Sequence, residues 1–201
     1  MVFVLCEMKR NYHMLGLLMS LITQLSSGPV HQKPKQYDFR VELQKMIKYA
    51  THLLADTKLL YNDFKNKYPA EGEHKLDTLP VLSGSAADIT TLEVTSGLQK
   101  LRSDLHSYKN HLDWLKKAAH IVKSPLSNGF HLIHIRTETL ANNMENMMTK
   151  LKIPYNSTDV PHLPPHSTHW AAVQAGHAIF HDFILFLDWT VRALMVLRNK
   201  L

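Results

Sequence analysis

The sequence predicts an all-α protein: a long-chain four-helix bundle with up-up-down-down topology and two long crossover loops. Three observations predict it. Four long stretches repeat apolar residues with helical period, no stretch of comparable length alternates as a strand would, and the connections run long, short, long. The 201 residues suit one domain, and a chain of that size buries roughly 70% of its unfolded surface. With 45% hydrophobic residues, it has the material for a core.

The first stretch covers residues 38–68, with Leu43, Ile47, Ala50, Leu54, Leu60, Tyr61 and Phe64 on its inner side. Tyr68-Pro69 ends it, because the residue before a proline disfavours the helical region. The second covers residues 95–122. Leu98, Leu101, Leu105, Tyr108, Leu112, Leu115, Ala119 and Val122 alternate steps of three and four, the seam of a bundle helix crossing at a shallow angle. The third covers residues 128–152, with Ile133, Leu140, Met144, Met147, Met148 and Leu151 inside and polar Thr137 in the same row. The fourth covers residues 167–199. Val173, His177, Phe180, Ile184, Leu187, Val191 and Leu194 form one row, and Ile179, Phe183, Phe186 and Trp189 widen it. That breadth marks a central, heavily buried helix. Asp182, Asp188 and Arg192 argue against a membrane span, each costing ~2.5–3.5 kcal/mol at a bilayer centre.

The links set the topology. Pro69 to Val94 joins the first two helices, a few residues around Ser124-Pro125 join the next two, and a segment rich in proline (Pro154, Pro161, Pro164, Pro165) joins the last two. Bundle loops ordinarily run ~2–8 residues. Two long links imply parallel neighbours whose connections must climb back along the bundle.

Residues 1–28 read as a secretory signal. Lys9 and Arg10 form its basic start, Met14 to Leu25 its apolar run, and Ser26, Ser27 and Gly28 its cleavage region. The run is too short to span a bilayer, which takes ~20 apolar residues. Cleavage leaves residues 29–201 as the helical domain and removes Cys6, the only cysteine. The secreted chain is then expected to hold its fold without a disulfide, which is unusual for a small extracellular protein. The formal charge of +6 permits weak binding to acidic surfaces, but it is not clustered as in a nucleic-acid site.

No phosphate loop, GxSxG elbow or HExxH motif is present, so no catalytic residue, cofactor or metal is assigned. His162, His166 and His169 lie close in sequence, but no fourth ligand accompanies them; they read as solvated loop histidines. His177 lies in an apolar row and reads as a hydrogen-bonded core histidine. Asn156-Ser157-Thr158 is a glycosylation sequon on a proline-flanked loop. Lys116, Lys117, His120 and Lys123 suit the negative end of the second helix's dipole. Trp170 opens the fourth helix, either packing on the loop before it or standing out as a partner's anchor.

Specific segments carry a resemblance. These are LLADT from Leu53, YPAEGEH from Tyr68, LDTLP from Leu76, LQKLRSDLHSYKNHLDWLKKA from Leu98 and HAIFHDFILFLDWTVRALMVLRNKL from His177. Together they resemble the interleukin-11 family of interleukin-6-type helical cytokines, as does the absence of cysteine beyond the leader. The resemblance implies a secreted, extracellular ligand, monomeric when free, that gathers receptors through three surfaces and triggers growth or differentiation responses. An alpha receptor would meet Asp188, Trp189 and Arg192. The shared signalling receptor, glycoprotein-130, would meet the first and third long helices, where Arg136 matches the family. A second copy of it would meet Trp170. Asn142 and Asn143 stand where the family carries arginines, and the sequon at Asn156 is a further departure; both point to a diverged, non-mammalian vertebrate member. Two rival functions are a carrier whose amphipathic helices open around lipid and a small secreted metalloenzyme using the histidines.

Overall fold

The structure, a computed structural model, describes residues 38–81, 86–121, 123–156, 163 and 168–201. The expected leader (1–28, with Cys6), His162, His166 and the sequon's Ser157 and Thr158 lie outside the described residues. Among the described residues there are five helices and no strand: α1 Phe39–Lys67, α2 Ala86–Thr91, α3 Val94–Ile121, α4 Ser127–Lys150 and α5 His169–Lys200. Four are the expected bundle helices. The fifth, α2, lies inside the first crossover and was not expected, because six residues are too few to show a period.

Local chemistry sets the ends. The Asp38 carboxylate accepts from the N–H groups of Arg40 (3.0 Å) and Val41 (3.2 Å), capping α1. The Thr168 hydroxyl accepts from Ala171 N–H at 3.0 Å and caps α5. Both α3 and α4 stop in the same manner. Lys152 turns to a φ of +55°, its N–H donates to the Thr149 carbonyl (3.1 Å), and Ile153 N–H donates to the Met148 carbonyl (2.9 Å). Lys123 (φ +51°) and Ser124 repeat the pattern on His120 and Ala119. These are Schellman turns, with lysine where glycine is usual.

Cross-helix partners give the directions. Asp56 and Phe64 of α1 meet Arg136 and Phe130 of α4, while Gln44 and Tyr61 of α1 meet Arg198 and His177 of α5. Arg102 and Lys109 of α3 meet Glu145 and Glu138 of α4, and Tyr108 meets Phe183 of α5 while Gly97 meets Leu197. In each pair, rising numbers on one helix meet falling numbers on the other. Both α1 and α3 therefore run antiparallel to α4 and α5. The backbones of α1 and α3 do not approach closely, nor do those of α4 and α5, which meet across the core only through side chains such as Phe130 and Phe180 (centroids 5.6 Å apart). The bundle is up-up-down-down, with parallel helices on its diagonals.

The apolar rows meet in one core. The seven described seam residues of α3 are buried (Val122 lies outside the described residues), as are Ile179, Phe183, Phe186 and Trp189 of α5, so these stripes are covered without lipid. On α1 the buried face is turned slightly from the expected one: Met46, Leu53 and Thr57 are inside, and Leu54 and Tyr61 are half-buried. Thr137, the polar member of its row, satisfies its hydroxyl by donating to the Ile133 carbonyl at 2.8 Å. No helix among the described residues is long and apolar enough to cross a membrane.

One contact shows how tightly α5 seats on α1. A Cβ added at Gly176 would lie 2.6 Å from Phe64 Cζ. The Phe64 ring has little room to yield, because Tyr68, Phe130, His177 and Phe180 surround it at centroid distances of 5.2, 6.0, 5.0 and 5.5 Å. Replacing a helical glycine by alanine ordinarily gains ~1 kcal/mol, whereas overpacking a rigid core costs ~1–3 kcal/mol. The crowding term wins here. Gly176→Ala is predicted to lower the urea midpoint, corresponding to a loss of ~1–2 kcal/mol; an unchanged or raised midpoint would contradict that.

Candidate functional site

Three surfaces carry the expected functional residues, and the bundle holds them apart. The first is on the outer side of α5. Asp188 and Arg192, one turn apart, form an ion pair with both side chains about half exposed. Trp189 does not join them. It is 8% exposed, because position 189 continues the inner row of Ile179, Phe183 and Phe186. Trp189, expected beside them at the alpha receptor, is thus largely covered in the free bundle. Its indole Nε1 finds no protein acceptor among the described residues.

The second surface lies on the seam between α1 and α4. Arg136 reaches across to Asp56, with 36% and 37% of their side chains exposed. Three large apolar side chains stand out beside them: Leu59 (65% exposed) follows Asp56 by three residues, Leu132 precedes Arg136 by four, and Ile135 adjoins it. Sequence reasoning named only Arg136 here. The signal for the others was available, since all three fall off the buried rows of their helices. Asn142 and Asn143, further along α4, are exposed.

The third surface is the bundle end where α5 begins. Trp170 is 53% exposed, while Val173, one turn on, is buried. His169 sets its ring edge-on against Tyr68 at 5.5 Å, and Thr168 fixes the first turn. At 1.5 Å rise per residue, Trp170 lies ~33 Å along α5 from Arg192.

The crossovers join these surfaces to the core. Pro154 and Asn156 carbonyls accept from Gln99 (2.7 Å) and Arg102 (2.6 Å), so the second crossover leaves α4 strapped along α3. Tyr155 lies over the Arg102 guanidinium at 4.4 Å. Burial raises the Glu145 pKa, but hydrogen bonds from Arg102 and His106 outweigh it and hold the carboxyl below its usual range. Asn156 itself is exposed. The first crossover is tied by His177, which donates from Nε2 to the Tyr68 carbonyl at 2.7 Å, in keeping with its reading as a hydrogen-bonded core histidine. Thr78 bonds to His111 at 2.9 Å. Neither His111 nor His74, stacked on His177, was singled out in the sequence, because their partners are remote in the chain. Among the described residues, no group of three or more His, Cys, Asp or Glu is placed to hold a metal ion.

A family model described as Interleukin 11 matches residues 29–201. Interleukin-11 of Macaca fascicularis is 35% identical over 189 residues, covering 89% of this chain and 92% of its own. This chain belongs to the interleukin-11 family. Interleukin-11 of Homo sapiens is 35% identical over 182 residues (89% and 92% covered), and that of Mus musculus 34% over 180 (88% and 90%). The chain is therefore a cytokine of the interleukin-11 family, not an enzyme, and identity near one third across nine-tenths of its length marks a diverged member.

The two tryptophans separate packing from surface. Trp189→Ala is predicted to cost ~3–5 kcal/mol of stability, as for a large ring removed from a core. Trp170→Ala should stay within ~0.5 kcal/mol, as for an exposed side chain without a special role in the fold. Chemical denaturation of both variants checks this, and equal losses would show that Trp170 supports the fold.

Proposed function

We propose that this interleukin-11-family chain is secreted after removal of residues 1–28 and assembles receptors through its three surfaces. The alpha receptor binds the outer side of α5, with Asp188 and Arg192 in contact and Trp189 anchoring their turn in the core. Glycoprotein-130 binds the α1–α4 seam around Arg136, and a second copy binds Trp170 at the bundle end. Ligation by these receptors starts intracellular kinase and transcription-factor signalling. Asn156 carries an N-linked glycan, and its exposure supports this. The start of the family match at residue 29 supports the position of the cut.

The exposure of Trp170 is the observation that carries the proposal. A large aromatic left half in water at a capped helix start costs hydrophobic free energy unless a partner covers it. Tryptophan is enriched among interface hot spots, and its truncation there costs ~2 kcal/mol or more. The mixed character of the α1–α4 seam, an ion pair among exposed apolar side chains, also suits a protein partner.

Separation of the surfaces makes the test clean, since sites more than ~10 Å apart without shared partners act additively. Trp170→Ala should leave alpha-receptor affinity unchanged and lower signalling potency ~30-fold, the equivalent of ~2 kcal/mol. Arg192→Glu should do the reverse, weakening alpha-receptor binding at the first step. Titration against the soluble alpha receptor beside a cell reporter assay reads both. Loss of alpha-receptor affinity in Trp170→Ala, or its retention in Arg192→Glu, would sink the assignment.

A further inference from the structure

Two imidazoles fasten the first crossover to the bundle. At one end, His177 of α5 donates from Nε2 to the Tyr68 carbonyl at 2.7 Å, and its Nδ1 faces the Tyr61 hydroxyl at 3.5 Å. His74 of the crossover lies against the same ring, with centroids 5.1 Å apart at 29°, and buries its Nε2 without a protein partner among the described residues. At the other end, the Thr78 hydroxyl donates to Nε2 of His111 at 2.9 Å. The opposite ring nitrogen, Nδ1, carries the proton, because it donates to the Ser107 carbonyl at 2.7 Å. Next to Thr78, Leu79 is buried and its N–H donates to the Leu76 carbonyl at 3.0 Å. A groove of about 800 Å³ separates much of residues 72–81 from α5. Few contacts therefore hold this segment, the condition for opening apart from the rest of the fold.

Both fastenings favour an uncharged ring. A second proton on His111 would oblige the Thr78 hydroxyl to turn from donor to acceptor and would bury a charge at a residue with no exposed surface. A second proton on His177 would place a charge beside His74 and near Lys65. Burial pushes both below the usual histidine range, more strongly than the backbone bonds at Ser107 and Tyr68 raise them. The carboxylates lining the groove are otherwise engaged or solvated: Glu73 pairs with Lys75 at 3.3 Å, Asp182 with His181 at 2.8 Å, and Asp77 is exposed.

We propose that the first crossover is an acid-released strap: below neutral pH, residues 69–81 detach from α3 and α5 while the bundle stays folded, and alpha-receptor binding weakens. The last clause rests on the receptor assignment above; the release does not. The direction follows from linkage. Imidazoles held below their ordinary pKa stabilise the closed strap fully above pH ~6.5, and that contribution is lost as pH falls. Each contributes up to about tenfold per pH unit.

Hydrogen exchange of the whole protein at pH 7.4 and 5.5, corrected for intrinsic rates, tests the release. Protection of the Leu79 amide should fall at least ~10-fold, while amides of residues 183–187 keep theirs. Equal protection of Leu79 at both pH values, or equal loss throughout the bundle, overturns the strap. In the double variant His111→Gln/His177→Gln the acid response should flatten, and a response like that of the parent overturns the role of the imidazoles. If the strap opens but alpha-receptor affinity is the same at both pH values, the receptor clause alone fails.

Discussion

Packing around Phe64 is the interaction on which much of the molecule depends. The ring belongs to α1, yet it is enclosed by Phe130 of α4, by His177 and Phe180 of α5, and by Tyr68 at the head of the first crossover. It joins three helices and a loop at one end of the bundle. Gly176 is present because α5 must come this close, and Tyr68 extends the same contact to Ser124 in the short turn after α3, at 2.9 Å. Trp170 stands at the same end, on a helix start that rests against Tyr68 through His169. A receptor that meets Trp170 would press on an end of the bundle where aromatic rings from three helices and a loop are packed together.

The parallel arrangement of α1 with α3, and of α4 with α5, is the second constraint. It obliges the chain to return the length of the bundle twice, and a returning segment has backbone groups to satisfy. Each crossover solves this by borrowing side chains from the helices it passes. Gln99 and Arg102 serve the backbone of the second, His177 serves the Tyr68 carbonyl at the head of the first, and Lys200 reaches the Leu92 carbonyl at 2.8 Å near the end of that link, while His111 holds the first link through the Thr78 hydroxyl. The two solutions differ chemically. Arginine keeps its charge at any physiological pH, whereas histidine does not. The same topology thus leaves one strap fixed and one able to respond to acid.

Much of this was legible in the sequence because period and link length are local properties. The α3 seam needed only steps of three and four, and the order of link lengths was enough to set the topology. Trp189 is instructive. Its apolar row placed it inside, while family resemblance placed it among receptor contacts, and the packing agrees with the row. What could not be read depended on contacts remote in sequence. His111 looks like any polar residue on a helix until Thr78 is brought against it, and the six residues of α2 carry no period. Leu59, Leu132 and Ile135 were visible as apolar residues off their rows, but only the antiparallel register of α1 and α4 gathers them around Arg136.

The central claim is that one rigid bundle holds separate receptors on separate surfaces. Light scattering of the protein mixed with soluble alpha receptor and soluble glycoprotein-130 addresses it most directly. The account predicts an equimolar complex with the alpha receptor, and a larger one on adding glycoprotein-130 that contains two copies of it for each copy of the ligand engaged through both of its surfaces. A complex that never exceeds one glycoprotein-130 per ligand, or glycoprotein-130 displacing the alpha receptor, would contradict it.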